Sequence, residues 1–234
     1  MPETSPTSSP EALRAHLERL RKLRGQDSRG NTPPRLGAVK RFQQERLRAT
    51  YGDLSSQPRY AEATQFFLDD LYGPKDFSGR DAAMLRIYPV MVRTLPEGAV
   101  ETAALAIEVD ALSEALDRKL AEALPEGPIT EQSYAQAYRA SSTPEEREHQ
   151  IALIGAVAGR LDRLVRKPLV FQTLKLMRTP ARMAGLSELQ GFLERGFQSF
   201  RAMGGAADFV AIIQQRERAI ARRLFSSAPQ PFSV

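Results

Sequence analysis

The chain has 234 residues, 42% hydrophobic and 26% charged, with a formal net charge of +5 and no cysteine. That apolar content suffices for one sizeable core, and the lack of cysteine excludes disulfides, thiolate nucleophiles, iron–sulfur clusters and cysteine zinc sites. The longest nearly unbroken apolar run, 151–159, is far short of the roughly 20 residues a membrane span needs. The start, Met1 to Ser5, has no basic segment followed by an apolar one, so a cytoplasmic protein with no membrane span is expected.

The charge is unevenly placed. Residues 1–55 carry 11 Lys/Arg and 6 Asp/Glu, whereas residues 56–234 carry 22 of each. Within that neutral remainder, 97–148 holds 12 acidic and 4 basic residues, and 160–182 holds 7 basic and 1 acidic. Such segregation either pairs one helix with another, the favoured reading, or steers a partner.

Residues 1–9, rich in Ser, Thr and Pro, are expected to be disordered. Ser9 as N-cap and Pro10 at the first helical position then open a helix. Leu13, Leu17, Leu20 and Leu23 recur in it at helical spacing, and Gly25 stops it. With the connection after it, 10–33 reads as a detachable amphipathic arm and hinge. A second helix is expected over 34–51, presenting Leu36, Val39, Phe42 and Leu47 and ending at Gly52. A third, over 58–72, carries Tyr60, Ala63, Phe66, Phe67 and Leu71. Ser78 to Asp81 reads as a capping box opening a fourth helix, which Pro89 should kink.

The clearest helix runs from 98 to 124, with Leu105, Val109, Leu112, Leu116, Leu120 and Leu124 on one stripe. A shorter one follows at 131–140. Thr143 to Glu146 is a capping box opening a helix through Ile151, Ile154, Val157, Leu161 and Leu164. Pro168 marks a restart before 169–177. Ser187 to Gln190 reads as a further capping box, opening a helix lined by Leu189, Leu193, Phe197 and Phe200. Gly191 and Gly196 inside it each cost about 1 kcal/mol relative to Ala, which predicts a close helix approach. A last helix spans 207–225, and 226–234 should be a loose, disordered tail. The expected fold is all-α, a single-domain antiparallel multi-helix bundle of about eight to ten helices, with 34–225 as the bundle domain.

Candidate chemistry is sparse. His149 and Glu146 have the Glu-x-x-His spacing of di-iron bundles, but His16 has Leu13 where a second glutamate would be needed, and Glu146 is already explained as a cap. No Gly-x-Ser-x-Gly elbow or phosphate-binding glycine loop is present. The expectation is no catalytic residue, no metal and no cofactor, although acid–base chemistry by carboxylates would leave no sequence trace.

The most unusual run is Phe66 to Asp81, FFLDDLYGPKDFSGRD. It resembles the FFLxxLYGPxDFxxRD stretch of a proteobacterial family of helical proteins with no assigned function. Arg86 to Pro89, Val92 to Pro96, Phe192 to Phe197 and Met203 to Gly205 are similar as well, so the likeness covers roughly 60–225. It implies membership and no activity. Physically, the run is a corner between two helices, with Phe66, Phe67, Phe77 and Tyr88 expected to pack together and Asp76 and Asp81 within reach of Arg80 or Arg86. It reads first as a structural lock. Its functional reading is an aromatic-rimmed groove formed by Phe66, Phe67, Tyr72, Asp76, Phe77, Arg80, Asp81, Arg86 and Tyr88. Arg163, Arg166, Lys167, Lys175, Arg178 and Arg182 form the anion-binding candidate, with nucleic acid not the expected partner.

Three functional readings follow. The first is a non-enzymatic helical interaction or adaptor protein, a homo-oligomer using the arm and the corner as contact surfaces. The second is a binding protein for a small apolar or haem-like molecule in the bundle interior. The third is a cofactor-independent enzyme, to be recognised by a buried carboxylate facing a polar pocket.

Overall fold

The computed structural model describes residues 9–25, 30–71 and 78–234, the side chains of 78–81, 94 and 97 excepted. The fold is all-α, with no strand among the described residues. In chain order the α-helices are α1 (Pro10–Arg24), α2 (Leu36–Thr50), α3 (Gly52–Ser55), α4 (Ala61–Phe66), α5 (Ser78–Thr94) and α6 (Glu97–Ala123). They continue as α7 (Glu131–Ser141), α8 (Pro144–Val165), α9 (Pro168–Leu176), α10 (Arg178–Met183), α11 (Ser187–Ala202) and α12 (Ala207–Phe225). A π-helical turn, Phe67–Leu71, extends α4.

Local chemistry explains some of the boundaries, since α1, α7 and α8 open on side-chain caps. Ser9 accepts from the Ala12 amide and Pro10 opens α1, as the sequence predicts. Thr143 and Glu146 form the reciprocal capping box that opens α8. Three expectations need correcting. Gly52 does not close α2 but begins the short α3, because Tyr51 already returns its amide to Leu47. Ser187 does not cap α11: Leu186 holds that place without a side-chain bond, while Gln190 donates to the Leu174 carbonyl and to Glu194. The tail after α12 folds back. Arg223 donates to the carbonyls of Pro229 and Gln230, and Phe232 packs on Phe42 and Tyr134.

The 27-residue α6 is the axis, about 40 Å long at 1.5 Å per residue. Helices α1, α2, α7 and α8 pack around it. Leu13, Leu17 and Leu20 of α1 are 0% exposed against Ala104, Ile107 and Ala111 of α6 and Met84 of α5. Small residues on α6 let α1 approach closely. A second cluster joins α2, α6, α7 and α12 around Leu120, Tyr134, Tyr138 and Ile220. A third gathers Tyr51, Phe67, Phe197, Phe200, Phe209 and Ile213 beneath α3, α4, α11 and α12. Gly196 admits the Phe66 ring, whose Cζ lies 2.7 Å from where a Cβ would stand. Gly155 makes room in the same way for Gln214 of α12.

The segregated charges meet inside this frame. Glu114 of α6, its side chain 2% exposed, binds Lys40 of α2 at 2.8 Å, Arg118 at 2.9 Å and Arg24 of α1 at 3.5 Å. Arg24 also reaches Asp110 at 2.6 Å. Burial opposes ionisation of Glu114, but Lys40, Arg24 and Arg118 together hold its carboxyl below the ordinary value. Arg160 pairs with Glu101, joining α8 to α6. Basic arm and acidic α6 thus offset each other.

Candidate functional site

Of the corner residues, Tyr72, Asp76 and Phe77 lie outside the described residues, as do the side chains of Arg80 and Asp81. Phe66 and Phe67 are both buried and face different neighbours, Phe66 meeting Phe192 at 5.4 Å between ring centres and Phe67 meeting Tyr51 edge-on at 6.0 Å. Successive residues of one helix project about 100° apart, so the two rings diverge instead of packing together. Arg86 donates to the Ala184 carbonyl at 3.0 Å, and Tyr88 donates to the Pro10 carbonyl at 2.8 Å. These bonds fasten α5 to the end of α10 and to α1.

The six anion-binding candidates are all exposed. Arg166 is engaged by Asp162 at 2.9 Å, and Arg178 grips Glu194 through Nε and Nη2. That contact pulls the Glu194 carboxyl down to about 2, against the opposing effect of burial. Lys175 stands 4.4 Å over the Phe171 ring. Among the described residues Arg163, Lys167 and Arg182 have no ion-pair partner. Residues 163–183 contain these six cations and no acidic residue.

The cations flank an apolar helix, α9, which rests Val170, Phe171 and Leu174 on the core, Phe171 stacking on Phe197 at 5.2 Å, and leaves its other apolar side chains outside. None of the residues of α9 is buried, although its sequence is PLVFQTLKL. Leu169 is 74% exposed, Leu176 78% and Met183 84%, at successive seven-residue steps, with the half-exposed Met177 beside them. Two turns of helix separate Leu169 from Leu176, so they share one face. The backbone at Met177 stays right-handed, and α10 follows α9 after that single residue.

A second candidate lies in the interior, where α2, α6, α7, α8 and α12 enclose a cavity of about 60 Å³. Arg46 pairs with Glu217, which also accepts from the Tyr51 hydroxyl at 2.7 Å. Gln43 donates to Asp117 at 2.9 Å and to the Tyr134 hydroxyl at 3.2 Å. Gln150 donates to Ser113 at 2.8 Å. Burial raises the Asp117 carboxyl, which the Gln43 bond and the nearby Lys40 and Arg147 charges only partly offset. Burial likewise raises the Tyr134 and Tyr138 hydroxyls.

Both histidines approach one carboxylate, His16 at 3.8 Å and His149 at 3.7 Å from the two oxygens of Glu108. Burial lowers the pKa of His16 despite that neighbour. Glu146 is held by the Thr143 amide and Lys119. Among the described residues no group of three or more His, Asp or Glu is arranged to hold a metal ion.

The comparison with known families bears on these sites. A family model described as "Domain of unknown function (DUF8198)" matches residues 22–231. The chain belongs to the DUF8198 family. No curated protein and no solved structure matches it. The α9–α10 face and the cavity, except for Phe232 on the cavity wall, fall inside the matched region, whereas most of the α1 arm precedes it.

No histidine and no motif marks the cavity residues of the DUF8198 domain in the sequence. A signal was present: each sits on an apolar stripe that it interrupts. Arg147 precedes Ile151 and Ile154 by helical steps, Glu217 stands between Ile213 and Ile220, and Asp117 is followed at such steps by Leu120 and Leu124.

Proposed function

We propose that the chain is a non-enzymatic interaction protein that docks through the α9–α10 face onto an anionic lipid surface. The observation that carries this is the pairing of Leu169, Leu176 and Met183 at 74–84% exposure with six exposed cations over 163–183. Of these, Arg166 and Arg178 also pair with Asp162 and Glu194, while Arg163, Lys167 and Arg182 have no ion-pair partner among the described residues. Apolar side chains on the outermost face of a helix, bordered by Lys and Arg, suit the boundary between headgroups and acyl chains. There the apolar tips insert while the cations meet phosphate. Each cation near such a surface contributes about 1 kcal/mol. Among the described residues no helix is long and apolar enough to cross a membrane, so the contact is peripheral. A second copy is a poor occupant of this face, because a two-fold contact would set the same cations against each other.

Sedimentation with phosphatidylglycerol/phosphatidylcholine vesicles tests the reading. Wild type should bind and release as salt rises, neutral vesicles should bind weakly, and Leu176→Asp combined with Met183→Asp should abolish binding. Failure to bind anionic vesicles at low ionic strength would discard the lipid surface. Self-association through the arm and the corner is checked separately by the concentration dependence of sedimentation velocity.

The interior cavity favours a second reading, a site for a small polar molecule or for the cofactor-independent chemistry that a buried carboxylate would serve, because Asp117 is a carboxyl with a raised pKa on its wall. Its size stands against a haem-like or large apolar guest.

A further inference from the structure

We infer that the cavity between α2, α6, α7, α8 and α12 is a binding site for a small planar oxyanion, a carboxylate or bicarbonate, held by the guanidinium of Arg147. This inference is independent of the α9–α10 face.

Arg147 is only 5% exposed and lines the cavity. Its Nε donates to Ser142 at 3.0 Å, its Nη1 donates to Gln150 at 3.2 Å, and its Cζ lies 4.2 Å over the Tyr138 ring. The position of the group is therefore fixed on three sides. The Nη2 atom is buried and makes no hydrogen bond among the described residues. More telling, among the described residues no carboxylate is within ion-pair distance of Arg147, whereas its interior neighbours have theirs: Arg46 has Glu217 and Arg118 has Glu114. A buried cation without a counter-charge is costly, and a free charged N–H adds to the cost. Asp117, on the same cavity, accepts from Gln43 and makes no ion pair with Arg147, and burial raises its carboxyl against the Lys40 and Arg147 charges.

The dimensions select the ligand. About 60 Å³ accommodates on the order of four water-sized groups. That is the size of formate, acetate or bicarbonate, and it excludes nucleotides and sugars. A planar oxyanion also matches the donor geometry of a guanidinium. Binding is coupled to protonation of Asp117, since an anion beside Arg147 favours the neutral carboxyl. The charges bearing on that carboxyl are Lys40 of α2, Glu114 of its own helix and Arg147 of α8, with the Arg46–Glu217 pair across the cavity.

The test is calorimetric titration of the full chain with sodium acetate and with sodium bicarbonate at constant ionic strength, with sodium chloride as reference. A saturable signal of millimolar affinity or tighter is expected for the two oxyanions, strengthening as pH falls by up to about tenfold per unit. Arg147→Lys keeps the charge and loses the fork, and should weaken binding at least tenfold. Because that variant also loses the Ser142 contact, Asp117→Asn provides a gentler check: it preserves an acceptor for Gln43, and should bind acetate at least as tightly with the pH dependence removed. Absence of saturable binding in both wild type and Asp117→Asn overturns the inference. So does an equal response to chloride, or unchanged affinity in a folded Arg147→Lys protein.

Discussion

Helix α6 carries Asp110, Glu114 and Asp117 inward and meets them with Arg24, Lys40, Arg118 and Gln43, whereas α9 keeps Leu169 and Leu176 in water. Burial here follows pairing more closely than polarity. Charged groups are tolerated inside because their contacts are directional, and those of Arg24, Lys40 and Gln43 cross between helices, so they fix register as well as energy. Apolar groups left outside contribute nothing to that frame, and their presence points to something beyond the chain. Arg147 lies between the two cases, inside yet with no carboxylate at ion-pair distance among the described residues.

The contrast is broken most forcefully at Glu114. Glu114→Gln leaves Arg24, Lys40 and Arg118 without their shared carboxylate, and should cost about 3–5 kcal/mol in urea unfolding. A loss below about 1 kcal/mol would mean that the network is incidental to α1 and α2 docking. The pH dependence has a definite sign. Because the folded pKa of Glu114 is depressed, its stabilisation is present above the unfolded value near 4.5 and is lost as pH falls through the lower folded value. Wild type should therefore lose stability on acidification more steeply than Glu114→Gln.

A smaller effect is expected at Gly196, where packing alone decides. Gly196→Ala places a methyl 2.7 Å from the Phe66 ring, which is wedged against Phe192 and has little room to retreat. Overpacking of this kind costs roughly 1–3 kcal/mol, readable as a lowered urea midpoint with unchanged slope. If Ala were neutral or stabilising, the close approach of α11 to α4 would have to be looser than its geometry.

How far these features were legible depends on what encoded them. Gly196 was readable because a glycine inside a helix has a cost that only a neighbour justifies. The capping box of α8 and the Ser9–Pro10 start of α1 are local chemistry, and the helix-period leucines of α1 and α6 announce the core. By contrast, the π-helical turn at 67–71 and the fold-back of Phe232 onto Tyr134 arise from tertiary contacts that no local pattern carries. The opposite charges of 1–55 and 97–148 foretold pairing, yet which cation met which carboxylate depended on helix order. For the sites the division is similar. The cations of 160–182 are visible as a run, but the exposure of Leu169 and Leu176 is not, since PLVFQTLKL does not show which of its apolar residues face the core. The cavity required seeing that Asp117, Arg147 and Glu217 interrupt apolar stripes of three different helices, and only the packing brings those interruptions together.

The smallest stability effect, and the sharpest test of the contrast, belongs to α9 and α10. Replacing Leu169, Leu176 and Met183 together with Ser removes three side chains that are at least 74% exposed. Folding withdraws little of their area from water, so the transfer free energy at stake is small and the urea midpoint should correspond to a change within about 0.5 kcal/mol. The same protein should lose vesicle binding, which separates a docking role from a core role in one variant. A loss of about 2 kcal/mol or more would place these residues under cover in solution. Protein concentration then identifies the cover: a second copy makes the melting temperature of wild type rise with concentration, whereas cover by the chain itself leaves it constant.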